Sequence, residues 1–95
     1  MPIFAVEYAY DTTRTEDLDK LRPEHREFLA GLHDAGVLVV SGPWLDAAAP
    51  GALLMVRAIN HDAALEALDP DPFHRAGLIT SRTARAWDPV VGKLT

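Results

Sequence analysis

Apolar residues along this chain recur in two patterns, one typical of strands and one typical of helices. Residues 3–10 alternate between the two sides of an extended chain and are rich in Ile, Phe, Val and Tyr, which predicts a first strand. Residues 11–19 are polar and without periodicity, which predicts a loop. Beyond them, apolar residues return at steps of three, four and seven, which predicts a helix with one buried face. This stripe contains Leu21, Phe28, Leu29, Leu32 and Ala35.

The predicted helix begins near Arg22 and ends near Ala35. Pro23 suits a first helical turn, where its missing N–H is no loss, and Gly36 suits the left-handed position just past a helix end. His25 falls within the apolar stripe of this helix. An imidazole therefore occupies a position where packing alone would favour a leucine.

The second half of the chain predicts three more strands and two short helices. Residues 37–40 and 52–59 are apolar on both sides and predict buried strands, whereas the more polar residues 78–87 predict an edge strand. Asn60 is a good cap for a second helix. An aspartate followed by proline predicts one further helical turn over residues 72–76.

The resulting element order, βαββαβ, is that of a ferredoxin-like α+β fold, with an antiparallel sheet and two helices on one face. Ninety-five residues predict a single domain, over residues 1–95. Two helices can cover only one face of the sheet, yet the central strands are apolar on both faces. We therefore expect a second subunit on the bare face, in a homodimer of the dimeric α+β barrel type.

Composition narrows the classes of partner and compartment. Nine Lys and Arg against 14 Asp and Glu give a net charge of −5, and the basic residues are spread out, so nucleic acid is not an expected partner. The absence of cysteine excludes a disulfide framework and a thiol nucleophile, and it fits a reducing cytoplasm. Residues 1–4 do not form a basic region followed by an apolar one, and no apolar run approaches roughly 20 residues, so we expect an unprocessed cytoplasmic protein without membrane contact.

The predicted topology brings polar residues from four segments to one edge of the sheet. Tyr10 ends the first strand, His25 lies near the start of the helix, Ser41 ends the second strand and Asp71 precedes the fourth. Arg22 lies at the same edge. A buried histidine beside a carboxylate commonly acts as a general acid or base near neutral pH. His25 and Asp71 are therefore candidate catalytic residues; the alternative is a structural histidine, with Asp71 only capping the turn after it.

The other candidates also have structural explanations. Ser41 stands in an ordinary turn sequence, and Arg22 either binds an anionic substrate, pairs with Asp71 or is solvated. His33 and His61 are expected at the opposite edge of the sheet. The histidines are scattered without a His-x-x-x-His pair, so no metal site is expected, and without a glycine-rich phosphate loop no nucleotide cofactor is expected.

Five motifs together resemble the YciI-like (YCII-related) family of small dimeric ferredoxin-like α/β proteins. They are Leu21-Arg22-Pro23-Glu24-His25, His33-Asp34-Ala35-Gly36, Ser41-Gly42-Pro43, Asp71-Pro72-Phe73 and Ala76-Gly77-Leu78. The resemblance covers nearly the whole chain and implies an active site at His25 and Asp71, with Ser41 nearby. Two features depart from the family pattern: Pro70 stands where many members have a second acidic residue, and the loop over residues 44–51 is short. Most members have no assigned reaction, so the resemblance implies a site without a substrate.

Three functions are compatible with these residues. The first is an acid–base enzyme of the lyase, isomerase or dehalogenase kind acting on a small metabolite. In it, His25 abstracts or donates the proton and Asp71 orients the imidazole. The substrate is bound by Ser41, Arg22 and Tyr10. No cofactor is implied. The second is a non-catalytic small-molecule binding or dimerisation module in which His25 is a polar anchor. The third, by analogy of fold alone, is a cofactor-free monooxygenase of the dimeric α+β barrel kind.

Overall fold

The computed structural model describes residues 1–46 and 48–92. Its elements are β1 (Ile3–Tyr10), α1 (Thr15–Asp34), β2 (Leu38–Pro43), β3 (Gly51–Arg57), α2 (His61–Leu68), α3 (Pro72–Arg75) and β4 (Ile79–Trp87). The strands form one sheet in the order β2-β3-β1-β4, in which each neighbouring pair is antiparallel. The chain therefore has an α+β fold, with the first and third strands in the middle as predicted.

The helices pack on one face of this sheet. Every second residue of the central strands points to that face and is buried, which is the alternation expected of a half-covered sheet. The main core contains Phe4, Val6, Tyr8, Leu29, Leu54, Val56, Ala64 and Leu68. A smaller cluster of Leu18, Phe73 and Leu78 joins the start of α1 to α3. Since burying one such side chain contributes about 1.5–3 kcal/mol, these two clusters fix α1 at both of its ends.

The opposite face of the sheet carries the other set of alternate residues. Ala5 pairs with Met55 across the two central strands, and Ile3 pairs with Trp87 across β1 and β4. Trp87 is 40% exposed. Because the described helices contribute to the two clusters on the first face, this second face, on which apolar residues alternate with Glu7, Arg57 and Arg85, is left without a helical layer.

Helix α1 begins at Thr15, about two turns before the predicted start near Arg22. The prediction of a loop over residues 11–19 is therefore wrong for most of that stretch. Its N-terminal residue Arg14 makes no capping hydrogen bond through its side chain, so the usual sequence signal for a helix start is missing. Leu18 supplies the physical reason for the longer helix, because it extends the apolar stripe by one turn and is buried.

Pro23 lies inside α1 rather than in its first turn. An internal proline removes one backbone hydrogen bond and costs about 3 kcal/mol in a helix interior. The helix nevertheless continues through this position because its buried residues Leu18 and Leu29 anchor it on both sides of the proline.

Strand β2 is longer than predicted and is not buried on both sides. Ser41, Gly42 and Pro43, which we expected to form a turn, pair with β3 and are exposed. A proline is tolerated here because β2 is at the edge of the sheet, where its missing N–H breaks no ladder. The predicted cap of α2 is confirmed, since the Asn60 side chain accepts a hydrogen bond from the Ala63 N–H at 2.8 Å.

Candidate active site

Asp71 has no solvent exposure and is held by three hydrogen-bond donors. The Tyr8 hydroxyl donates to Oδ2 at 3.0 Å, and the backbone N–H of Phe73 donates to Oδ1 at 3.0 Å. The third donor is His25, whose Nδ1 lies 2.8 Å from Oδ1 and 3.0 Å from Oδ2. An ionised carboxylate can only accept, so Nδ1 carries a hydrogen and Nε2 is the nitrogen left for proton exchange.

The local sequence around Asp71 explains why its carboxylate is so well placed. Asp71 is the N-cap of α3, and Pro72 occupies the first turn, where its fixed backbone angle favours the helix. The capping bond orients the carboxylate towards α1, where His25 meets it. Capping and contact with the histidine, which the sequence left as alternatives, occur together in the same side chain.

The imidazole of His25 is confined by its neighbours on two sides. The Phe73 ring stacks on it with a centroid distance of 4.0 Å and an angle of 5° between the planes. The side chain is 8% exposed. Among the described residues, every fully buried side-chain nitrogen and oxygen has a hydrogen-bond partner. Nε2 of His25 has no partner there, so it is not one of these fully buried atoms. Nε2 must therefore reach the protein surface.

Two tyrosines in this region have hydroxyl groups whose pKa lies well above the usual value for tyrosine. Burial, the Asp71 charge and the hydrogen bond to Asp71 all raise the pKa of Tyr8. Burial, followed by the Asp71 charge, raises the pKa of Tyr10 to about 12, against the opposing effect of Arg22 and Arg26. Both side chains are therefore neutral hydroxyl donors at neutral pH.

His25 opens into a cleft of about 560 Å³ between α1 and strands β2 and β3, which we call the α1–β2 cleft. Tyr10, Arg22 and Ser41, the three predicted substrate-binding residues, also line this cleft. Asp71 lies behind His25 and does not line it. The structure thus brings all five predicted site residues into one region, four along the cleft and one in contact with His25.

Four residues of this region were missed from the sequence: Tyr8, Arg26, His33 and Phe73. Tyr8 is two positions before Tyr10 and so lies on the same side of β1, a signal that alternation alone could have supplied. Arg26 follows Arg22 by one helical turn. His33, expected at the opposite edge, lines the cleft because the cleft extends along α1, and its Nδ1 donates to the Leu38 carbonyl at 3.0 Å.

Residues 1–46 and 48–92 contain no group of three His, Asp or Glu side chains arranged to hold a metal ion. No helix within these ranges is both long and apolar enough to cross a bilayer. The polar side chains that line the cleft are those of Tyr10, Arg22, His25, Arg26, His33 and Ser41.

Comparison with known families accounts for this combination of fold and residues. The family model of the YCII-related domain matches residues 3–88. The chain belongs to the YCII-related domain family. The resemblance predicted from the five sequence motifs is confirmed. Among curated proteins, nothing matches this YCII-related domain.

A solved structure has the same fold as this YCII-related domain. It is the 5-chloro-2-hydroxyhydroquinone dehydrochlorinase of Burkholderia phenoliruptrix AC1100, in complex with 2,5-dihydroxybenzoquinone. The TM-score is 0.77, and the alignment covers 90% of this chain and 93% of that chain with 22% identity. At this level of identity the similarity establishes the shared fold.

Proposed function

We propose that this protein is a small enzyme that uses His25 and Asp71 for general acid–base chemistry on a small ring-containing molecule. One observation carries the proposal: both carboxylate oxygens of the buried Asp71 lie within hydrogen-bond distance of His25 Nδ1, and the same imidazole lines a cleft. This arrangement fixes the tautomer of the imidazole and directs its second nitrogen at a bound molecule.

In the proposed reaction Nε2 of His25 removes a proton from the bound molecule. The neighbouring carboxylate of Asp71 stabilises the imidazolium that forms, without itself taking the proton. In an elimination of HX, the proton passes to Nε2 while X leaves as an anion with the bonding electrons, so that the substrate loses HX overall. In an isomerisation, the same imidazolium returns the proton to a different atom.

The structural neighbour supports a reaction of this class. That protein is a dehydrochlorinase, and its bound molecule is a six-membered quinone. In the present chain, Phe73 presents an aromatic ring parallel to the imidazole, and Tyr10, Ser41 and Arg22 offer polar groups along the cleft. We assign substrate binding to these last three residues.

We also propose a ferredoxin-like arrangement and a homodimer. The strand order β2-β3-β1-β4 supports the first assignment, because β1 and β3 are central and antiparallel. The second rests on the sheet face opposite the helices, which carries the partly exposed apolar residues Ile3, Ala5 and Leu53. A second copy of the chain packed on this face would remove them from water.

The experiment measures halide release from a panel of halogenated hydroquinones, including 5-chloro-2-hydroxyhydroquinone, by wild type, His25→Asn and Asp71→Asn. We expect either substitution to slow turnover by about 10²–10⁴-fold, the usual contribution of positioned acid–base catalysis. His61→Asn is the matched control, because His61 also contacts an aspartate, Asp62 at 3.1 Å, but is exposed and outside the cleft. Its turnover should equal that of wild type.

Two results would overturn the proposal. If His25→Asn converts a substrate as fast as wild type, the imidazole is not the acid–base group. If members of the panel bind in the cleft without halide release or solvent proton exchange, the chain is a binding module in which His25 is a polar anchor. Binding is followed independently of turnover by chemical shift changes of the backbone amides that line the cleft.

A further inference from the structure

The charges along the α1–β2 cleft differ in sign from those of the protein as a whole. The chain has 14 Asp and Glu against nine Lys and Arg. Two of the nine cations, Arg22 and Arg26, line the cleft, whereas no carboxylate of the described residues does so. In an acidic protein, a cleft with cationic walls attracts anions more strongly than the rest of the surface does.

The two guanidinium groups lie at one end of the cleft. Arg22 and Arg26 are one turn apart on α1, and both line the cleft together with Tyr10. Arg22 is paired with the exposed Asp19, whereas Arg26 is exposed and has no ion pair among the described residues. We call Tyr10, Arg22 and Arg26 the cationic end of the cleft.

The remainder of the cleft is mainly apolar. Leu29 and Leu54 form part of its floor, Val39 and Pro43 belong to its β2 wall, and Phe73 lies beside His25. A volume of about 560 Å³ suits a molecule of one or two rings. The cleft therefore combines a surface for a ring with a cationic end for a negatively charged substituent.

We infer that the α1–β2 cleft binds a ring-bearing organic anion, with its negative group at Arg26 and Arg22 and its ring over the apolar floor beside His25. Arg26 is the main anchor, because Asp19 already compensates part of the charge of Arg22. The Tyr10 hydroxyl, which has no hydrogen-bond partner among the described residues, donates to the same group. As a statement about the substrate this inference rests on the proposed function; as a statement about binding it does not.

The test compares benzoate with benzamide, two probes of the same shape that differ in charge, by titration calorimetry at low ionic strength. We expect benzoate to bind about tenfold more tightly than benzamide. Arg26→Gln should weaken benzoate about fivefold and leave benzamide unchanged, and Arg22→Gln should have the smaller effect. Arg75→Gln is the control, since it makes the same charge change at an exposed residue outside the cleft.

Several outcomes would contradict the inference. These are equal binding of the two probes, no binding of benzoate, or equal losses in Arg26→Gln and Arg75→Gln. If acetate bound as tightly as benzoate, the site would recognise charge without a ring. The His25→Asn variant separates the two proposals, because we expect it to bind benzoate as wild type does while it loses turnover of the halogenated panel. If wild type itself bound benzoate selectively but converted no member of the panel, the anion site would be supported and catalysis would not.

Discussion

Replacing Tyr8 with phenylalanine tests whether Asp71 depends on the hydrogen bond from β1. The substitution removes one oxygen atom from a buried side chain and leaves the ring in the core. It deletes the hydrogen bond to Oδ2 of Asp71, which then keeps only His25 as a partner on that oxygen. A hydrogen bond to a charged group contributes about 1.5–3 kcal/mol, so we expect Tyr8→Phe to lower the free energy of unfolding by about 2 kcal/mol.

Tyr10→Phe is the matched control for this experiment. Tyr10 lies two residues further along the same strand, is only partly buried, and its hydroxyl has no partner among the described residues. Its replacement should change the free energy of unfolding by less than about 0.5 kcal/mol. Urea denaturation of both variants at one protein concentration measures the difference in the free energy of unfolding. In thermal unfolding, Tyr8→Phe should lower the Tm by about 10 °C. Equal midpoints for the two variants would refute the reasoning.

Three further predictions concern other parts of the molecule. Both tyrosines have a pKa raised above 10.0, so their contribution to stability should be fully present below about pH 10 and be lost above it, and at pH 10 phenolate absorbance should appear only after unfolding in urea. Gly51→Ala places a methyl group against the Tyr8 carbonyl oxygen and should destabilise the fold by about 3 kcal/mol in urea denaturation, whereas Gly31→Ala, with open space around it, should stabilise α1 by about 0.5–1 kcal/mol. Leu53→Glu should abolish a dimer in sedimentation, whereas the exposed Ile59→Glu should leave it intact; a wild-type monomer would contradict the dimer proposal.

The elements of the fold that the sequence predicts best are those with a strong local pattern. Strand β1 has the predicted bounds, because alternation and β-branched or aromatic residues coincide over its length. The predicted start of α1 was wrong because no cap residue marks the true start and because a proline such as Pro23 is typical of a first helical turn. In that region, tertiary burial of Leu18 outweighs the local signals.

The candidate site illustrates the same limit. Helical spacing put His25 on a buried face, and the element order brought Asp71 to the same edge of the sheet. Neither pattern contains the stacking of Phe73 on the imidazole or the hydrogen bond from Tyr8, because both depend on side-chain positions in the folded core. His33 lies beside Leu38 at the start of β2, the edge opposite Ser41 as predicted, but the extension of the cleft to that edge depends on packing between α1 and β2 and could not be predicted from the order of elements.

The contact of Asp71 with Tyr8 and His25 also has a consequence for the order in which the chain matures on the ribosome. Tyr8 leaves the exit tunnel well before its acceptor, which lies 63 residues further along. Until that acceptor emerges, a nascent chain cannot bury the phenol with its hydroxyl satisfied, and the imidazole has no carboxylate beside it. Completion of the site is therefore postponed until the segment that contains Asp71 has been synthesised.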